Sequence, residues 1–155
     1  METSRRDFIK KTCPTIAFAF FGLSFLEACS SEEMPNVVTT TPTTNNGDIL
    51  LDLNDSSYDE LKNIGGFINL TASGLLILKI SETVYGAYDN CCPHQGSTNS
   101  WTYDTQNQKF KCGSHSNQFG IENNTIVSCN SGNESGNLKS YTTSLSGSIL
   151  TIKKS

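Results

Sequence analysis

From about Asp48 onward, apolar side chains come in short runs separated by turn-forming residues. Ile49 to Leu53, Phe67 to Thr71, Leu75 to Ile80, Val84 to Tyr88, Lys109 to Lys111, Ile126 to Ser128 and Ser148 to Lys153 each read as a strand. They are short and rich in β-branched or aromatic residues. Gly65-Gly66, Ser73-Gly74, Asn123-Asn124, Ser131-Gly132 and Ser146-Gly147 fall between them and supply the backbone freedom that tight turns need. Only Tyr58 to Asn63 has the pattern of a helical turn. Short strands at spacings of roughly ten residues predict an all-β fold, an antiparallel sandwich or small barrel.

Upstream of Asp48 the pattern is different. Ile16 to Leu26 is an apolar stretch of eleven residues, well short of the roughly 20 that a transmembrane helix needs. Its length suits a signal segment. Ser4-Arg5-Arg6-Asp7-Phe8-Ile9-Lys10, just before it, resembles a twin-arginine export signal, whereas an ordinary charged leader needs only scattered Lys or Arg. Leu26-Glu27-Ala28-Cys29 resembles a bacterial lipobox with Cys29 as the lipidated residue, although Glu27 stands where a small or apolar residue is usual. The alternative is a plain Cys behind an ordinary cleavage site. The stretch up to Gly47 contains Thr39-Thr40-Thr41-Pro42-Thr43-Thr44 and few bulky apolar residues, a composition that predicts a flexible linker. Ser30-Ser31-Glu32-Glu33 resembles the acidic signal that sends some lipoproteins to the cell surface. The expected organisation is a signal peptide over 1–28, a linker over 29–47 and one folded domain over 48–155.

Composition narrows the function. The net charge is −4 and no basic cluster occurs beyond the N-terminus, which argues against a nucleic-acid partner. From Cys29 onward, seven Lys and no Arg against twelve Asp plus Glu give −5. Hydrophobic residues are only 35% of the chain, so the core is modest and a bound metal cluster would add stability that it lacks.

The chain has two His, and each lies close behind a Cys: Cys92-Pro93-His94 and Cys112-Gly113-Ser114-His115. Two thiolates and two imidazoles suit either zinc or an iron–sulfur cluster. Spacing separates the two. Zinc knuckles place ligands two to four residues apart, and a single intervening residue is tight for chelating one ion. A diiron cluster lets Cys and His of one loop reach different metals.

These two motifs, with Gln95-Gly96 after the first and Ser116-Asn117-Gln118-Phe119 after the second, resemble the cluster-binding loops of Rieske [2Fe–2S] proteins. The surrounding order is similar, with Leu75 to Ile80 and Tyr85-Gly86-Ala87-Tyr88 leading in, and Phe119-Gly120 and Ile126-Val127 following. The resemblance implies a Rieske-like antiparallel fold with two cluster-binding loops. It implies that Cys92 and Cys112 bind one iron while His94 and His115 bind the other, with the outer ring nitrogens facing solvent as the route for electrons. Trp101 and Tyr103, between the loops, read as packing residues.

The chain also departs from the quinol-oxidising members of that family. Their inter-loop disulfide corresponds to Ser97 and Ser114 here. The Ser and Tyr whose hydroxyls reach the cluster sulfurs correspond to Asn117 and Phe119, and Ser116 replaces a customary Gly. The loops are therefore more similar to those of a Rieske ferredoxin. Cys91 and Cys129 remain; Cys129 falls in Ser128 to Leu138, which in the family corresponds to a loop covering the cluster. In an exported protein the pair is expected to form a disulfide, the alternative being two unrelated thiols.

These readings converge on an exported, lipid-anchored, one-electron carrier on the periplasmic side of a bacterial membrane or at the cell surface, exchanging electrons with redox partner proteins. It is expected to act as a carrier more than as an enzyme by itself. The alternatives are the iron–sulfur subunit of a larger arsenite-oxidase-like or quinol-oxidising complex, and a structural zinc or binding lipoprotein.

Overall fold

The structure, a computed structural model, describes residues 42–45 and 47–154. The twin-arginine-like segment, the lipobox with Cys29 and most of the expected linker lie outside the described residues.

Ten strands and two short 3-10 segments make up the described part. They are β1 (Thr43–Asn45), β2 (Asp48–Asp52), β3 (Phe67–Leu70), β4 (Leu75–Lys79), β5 (Tyr85–Asp89), β6 (Trp101–Asp104), β7 (Lys109–Cys112), β8 (Gln118–Gly120), β9 (Ser140–Ser146) and β10 (Ile149–Lys153). One sheet has seven strands in the order β1-β2-β10-β9-β5-β4-β3, and the other has three in the order β6-β7-β8. Every strand pair is antiparallel. The fold is all-β, as the strand pattern predicts.

The β4 sequence Leu-Leu-Ile-Leu-Lys is buried on both faces. Successive side chains of a strand point to opposite sides, so Leu75 and Ile77 join one hydrophobic cluster while Leu76 and Leu78 join another. The adjacent β5 divides in the same way, with Tyr85 and Ala87 in the first cluster and Tyr88 in the second. Gly86 shares the Tyr88 face, and a Cβ there would collide with the Tyr88 ring. The first cluster is completed by Ile49, Leu51, Leu150 and Ile152 from β2 and β10 and by Tyr58 and Leu61.

The second cluster lies between the two sheets and contains Trp101, Phe110, Phe119 and Leu138, together with Cys92 and Cys112. Phe110 is its hub. Its ring lies 4.8 Å from Tyr103, 5.5 Å from Phe67, 5.7 Å from Tyr88 and 6.3 Å from Trp101. Rings at such tilted and edge-on contacts gain beyond simple burial. The two cysteines thus rest on a dry aromatic floor.

Several boundaries differ from the sequence expectation. Among the described residues pairing starts at Thr43, inside the expected linker, where Gly47 takes a φ of 87° in the tight hairpin between β1 and β2. Of Tyr58 to Asn63, the residues up to Lys62 belong to a 3-10 segment over Ser56–Lys62 with Asn63 as its C-cap, and its first turn is capped by Asp55 accepting from the Ser57 N–H at 2.8 Å. Ile126 to Ser128 is not a strand. Thr125 turns the chain with a φ of 44°, and Ile126 meets Asn137 only through an isolated bridge. Its β-branched residues favour extended backbone, but no strand edge lies alongside to extend the ladder.

Candidate metal centre

The two Cys/His loops are built alike. In the first, which follows β5, the Cys92 N–H donates to Ser97 O at 2.9 Å and the Gly96 N–H donates to Cys92 O at 2.7 Å. In the second, between β7 and β8, the Cys112 N–H donates to Asn117 O and the Ser116 N–H to Cys112 O, both at 2.9 Å. The fourth residue after each Cys is left-handed, Gly96 at φ 71° and Ser116 at φ 65°. Glycine accepts that conformation freely and serine does not.

The loops are also tied to each other. Ser114 Oγ donates to Ser97 Oγ at 2.8 Å, so a hydrogen bond joins the two positions that correspond to the inter-loop disulfide of quinol-oxidising proteins. The Gly113 N–H donates to Ser100 O at 2.7 Å, and a Cβ on Gly113 would clash with Ser100.

This framework brings Cys92 to Cys112 and His94 to His115. Cys92 and Cys112 are buried and unbridged. Burial pushes the Cys92 thiol up, as does its hydrogen bond with Cys112, while backbone N–H groups of His94 and Gln95 pull the other way. Those N–H groups are suited to stabilising a thiolate once a cation binds. The His94 and His115 rings meet edge to face with centroids 4.8 Å apart. His115 is exposed and His94 half-buried. The Nδ1 of His94 is nevertheless buried with no hydrogen-bond partner, and so is Nδ2 of Asn117.

A buried ring nitrogen without a partner is what a metal ligand leaves when protein atoms alone are counted, because native structures rarely leave such atoms unpaired. The two sealed thiols supply the soft donors that iron–sulfur clusters use. Among the described residues no three His, Cys, Asp or Glu side chains converge on one point to hold a single ion. A Cys pair and a His pair, each brought together across the two loops, fit a two-iron cluster with two ligands to each metal.

Parts of the support are not visible in any local motif. Asn90, 1% exposed, donates through Nδ2 to Asn69 Oδ1 at 2.9 Å, and Asn69 donates to Thr98 O at 2.8 Å. The Trp101 indole N–H donates to Asn90 O at 2.9 Å. This network pins both ends of the first loop to β3 and β6. Its partners lie 21 and 29 residues apart in sequence, so only the folded sheet brings them together.

The segment before β9 closes over the first loop. The Ser131 and Gly132 N–H groups donate to Pro93 O at 2.7 and 3.1 Å, Gly132 also reaches His94 O at 3.2 Å, and the Asn130 N–H reaches Cys92 O at 3.3 Å. Cys91 and Cys129 are joined as a disulfide, their Cα atoms 5.3 Å apart, which anchors this cover one residue from Cys92.

The family model of the Rieske [2Fe–2S] domain matches residues 53–142. The crystal structure of the cyanobacterial plasma membrane Rieske protein PetC3 from Synechocystis PCC 6803 is similar at 22% identity and a TM-score of 0.37, over 59% of this chain and 97% of that one. No curated protein matches the chain.

Proposed function

This chain belongs to the Rieske [2Fe–2S] domain family, and from that premise we propose that it is an exported, lipid-anchored carrier of single electrons. Iron–sulfur electron transfer follows from the family. The ligand set, the anchor and the carrier role are our reading of this chain.

Cys92 and Cys112 would hold one iron, and His94 and His115 the other, His94 through its buried Nδ1. The pair of matched loops, which sets Cys92 against Cys112 and His94 edge to face with His115, carries this assignment. When bound, the cluster accepts and returns one electron without making or breaking a bond to substrate. The chain does the rest. The floor of Trp101, Phe110 and Phe119 keeps water from the thiolate side, while the exposed His115 leaves the imidazole side open to a partner. Two neutral imidazoles in place of two thiolates leave the centre less negative and raise its potential above that of an all-Cys cluster. Neither loop contains an acid–base pair or nucleophile beyond these ligands, which favours a carrier over an enzyme acting alone.

Protein matured in its native host should contain about two irons and two acid-labile sulfides per chain and show the visible absorption of such a cluster. Cys92→Ser and His115→Ala should each lose both. Stoichiometric zinc without iron would overturn the assignment.

The export and anchoring parts rest on sequence: the twin-arginine-like segment before an eleven-residue apolar stretch, and the lipobox at Cys29. Among the described residues no helix is long and apolar enough to cross a membrane, and attachment through lipid at Cys29 requires none. Electron partners would then be proteins of the same membrane face.

A further inference from the structure

Strand direction puts the ligand loops at one end of the domain and the entry of the chain at the other. β5 runs from Tyr85 to Asp89 and leads into Cys91 and Cys92. Tyr85, at its far end, pairs with Lys79 of β4 and accepts at its carbonyl from the Thr143 hydroxyl of β9 at 2.7 Å. Thr143 pairs with Ile152, and β10 leads back from there to Ile149, which pairs with Asp52 at the close of β2. Lys79, Tyr85, Ile149 and Asp52 thus mark the end away from the ligand loops. In β1, Thr43 lies opposite Leu50 and Asn45 opposite Asp48, so the chain enters β1 from the Asp52 end.

Of five large exposed hydrophobic residues among those described, four lie at this entry end: Ile64, Val84, Ile80 and Ile149, which are 57%, 49%, 41% and 37% exposed. The fifth, Ile126, belongs to the cover over the first ligand loop. Ile64 and Ile80 line one cleft with Tyr103 and Ile121. The Ile80 and Ser81 N–H groups both donate to Val84 O, which holds Val84 beside Ile80. The neighbouring charges are paired, Lys79 with Glu82 and Lys62 with Asp59.

We propose that this apolar end rests on the surface of the lipid bilayer that holds the chain, and so turns the ligand loops toward partners in the aqueous phase. The proposal rests on the lipid anchor read at Cys29. Single exposed apolar side chains are ordinary; their gathering at the end where the anchored segment joins points to lipid as the occupant. Cys29 precedes Thr43 by 14 residues, which span at most about 50 Å, and a coil of that length averages about 20 Å. An acyl anchor on so short a lead keeps the entry end close to the bilayer, where a contact too weak to bind from solution becomes effective. Charges already paired with each other add little repulsion from anionic headgroups.

The test places a tryptophan at either end of the lipidated, cluster-loaded full chain, as Ile80→Trp or Ile126→Trp. The vesicles are phosphatidylethanolamine with a minor share of phosphatidylglycerol, with and without bromine on the acyl chains. Both variants keep the buried Trp101, and tryptophan favours a lipid interface at either position, so a difference between them reports placement. Brominated lipid should quench the added emission of the Ile80→Trp chain and leave that of the Ile126→Trp chain unchanged. Adding Ile64→Ser and Val84→Ser to the Ile80→Trp chain should abolish the quenching while the protein still sediments with the vesicles and keeps its iron. If the Ile80→Trp chain fails to load its cluster, Val84→Trp takes its place. Equal quenching at both ends, no quenching at the entry end, or quenching that survives the two serines would overturn the proposal. So would a blue-shifted emission at Ile80→Trp that lipid does not quench, which would mean that a second copy or another protein covers the patch. Failure of the anchor reading looks different: the chain would carry no acyl mass and would not sediment with vesicles, and the proposal would fall with it.

Discussion

Ser116 holds a left-handed conformation, φ 65°, that its counterpart Gly96 adopts at φ 71° in the other loop. For a residue with a Cβ that conformation costs roughly 1–2 kcal/mol, against roughly 0.5–1 kcal/mol of extra chain entropy lost by a glycine. Ser116→Gly is therefore expected to stabilise the fold by up to about 1 kcal/mol, a rise of about 4 °C in Tm for a domain of this size. A lower Tm would mean that the serine hydroxyl contributes something its backbone strain conceals. Phe119 poses a complementary question. It is fully buried beside Trp101, with ring centroids 6.2 Å apart, at the position that corresponds to a tyrosine donor in quinol-oxidising relatives. With that donor missing, the midpoint is expected in the lower part of the Rieske range of about −150 to +300 mV. Phe119→Tyr should raise it. A loss of stability with no rise in midpoint would show that the new hydroxyl finds no sulfur, and a parent midpoint near the top of the range would point to quinol oxidation instead.

At the scale of elements, the cover between Ile126 and Leu138 is held by three backbone N–H donors onto Cys92, Pro93 and His94 and by the Cys91–Cys129 bridge. A cross-link spanning 38 residues restricts the unfolded chain by about 4 kcal/mol in the loop-entropy model. Cys129→Ser should thus lower stability by about 2–4 kcal/mol, speed loss of the cluster, and expose the amides of Asn130, Ser131 and Gly132 to hydrogen exchange. Unchanged exchange at those three amides would mean that the hydrogen bonds alone hold the cover. This element was hard to read in sequence for a physical reason. Ile126-Val127 has the β-branching of a strand, yet it meets only Asn137, and the donors that hold the cover, Asn130, Ser131 and Gly132, reach carbonyls on the far-off first loop. Strand β9 hides for the opposite reason. Tyr141, Thr143 and Leu145 alternate with Ser and Thr, so its inward face carries little apolar signal, although Tyr141 and Leu145 pack against the first core. By contrast β4 is legible because its apolar residues are contiguous, and β10 because Leu150 and Ile152 alternate with Thr151 in a run rich in Ile and Leu. The ligand loops are legible because each Cys lies within three residues of its His, and chemistry at that range does not depend on which strands pair. The Asn69–Asn90 bond that steadies the first loop has no such local signature.

For the whole molecule, the proposed export would join the assembly of the folded domain to the sequence before it. Two buried thiols and a half-buried imidazole close around the metal centre beneath a disulfide-anchored cover, so the cluster is best inserted before or during folding. The proposed twin-arginine route carries folded chains, which would suit a protein that receives its cluster in the cytoplasm. Disulfide formation between Cys91 and Cys129 would then follow in the oxidising compartment outside. Replacing both Arg5 and Arg6 by Lys should leave the unprocessed protein in the cytoplasm, loaded with iron and with Cys91 and Cys129 reduced. Cys29→Ala in an otherwise intact leader should stall processing or release the protein from the membrane fraction, without changing its visible spectrum. A single acyl chain gives only marginal membrane binding, whereas two or more hold stably. Retention of the parent in washed membranes, lost in Cys29→Ala, would therefore report a fully modified Cys29. Membrane-bound Cys29→Ala protein with a normally cut N-terminus would show that another part of the molecule, or a partner protein, provides the attachment. The reading would then move from a lipid-tethered carrier to a subunit held by its complex.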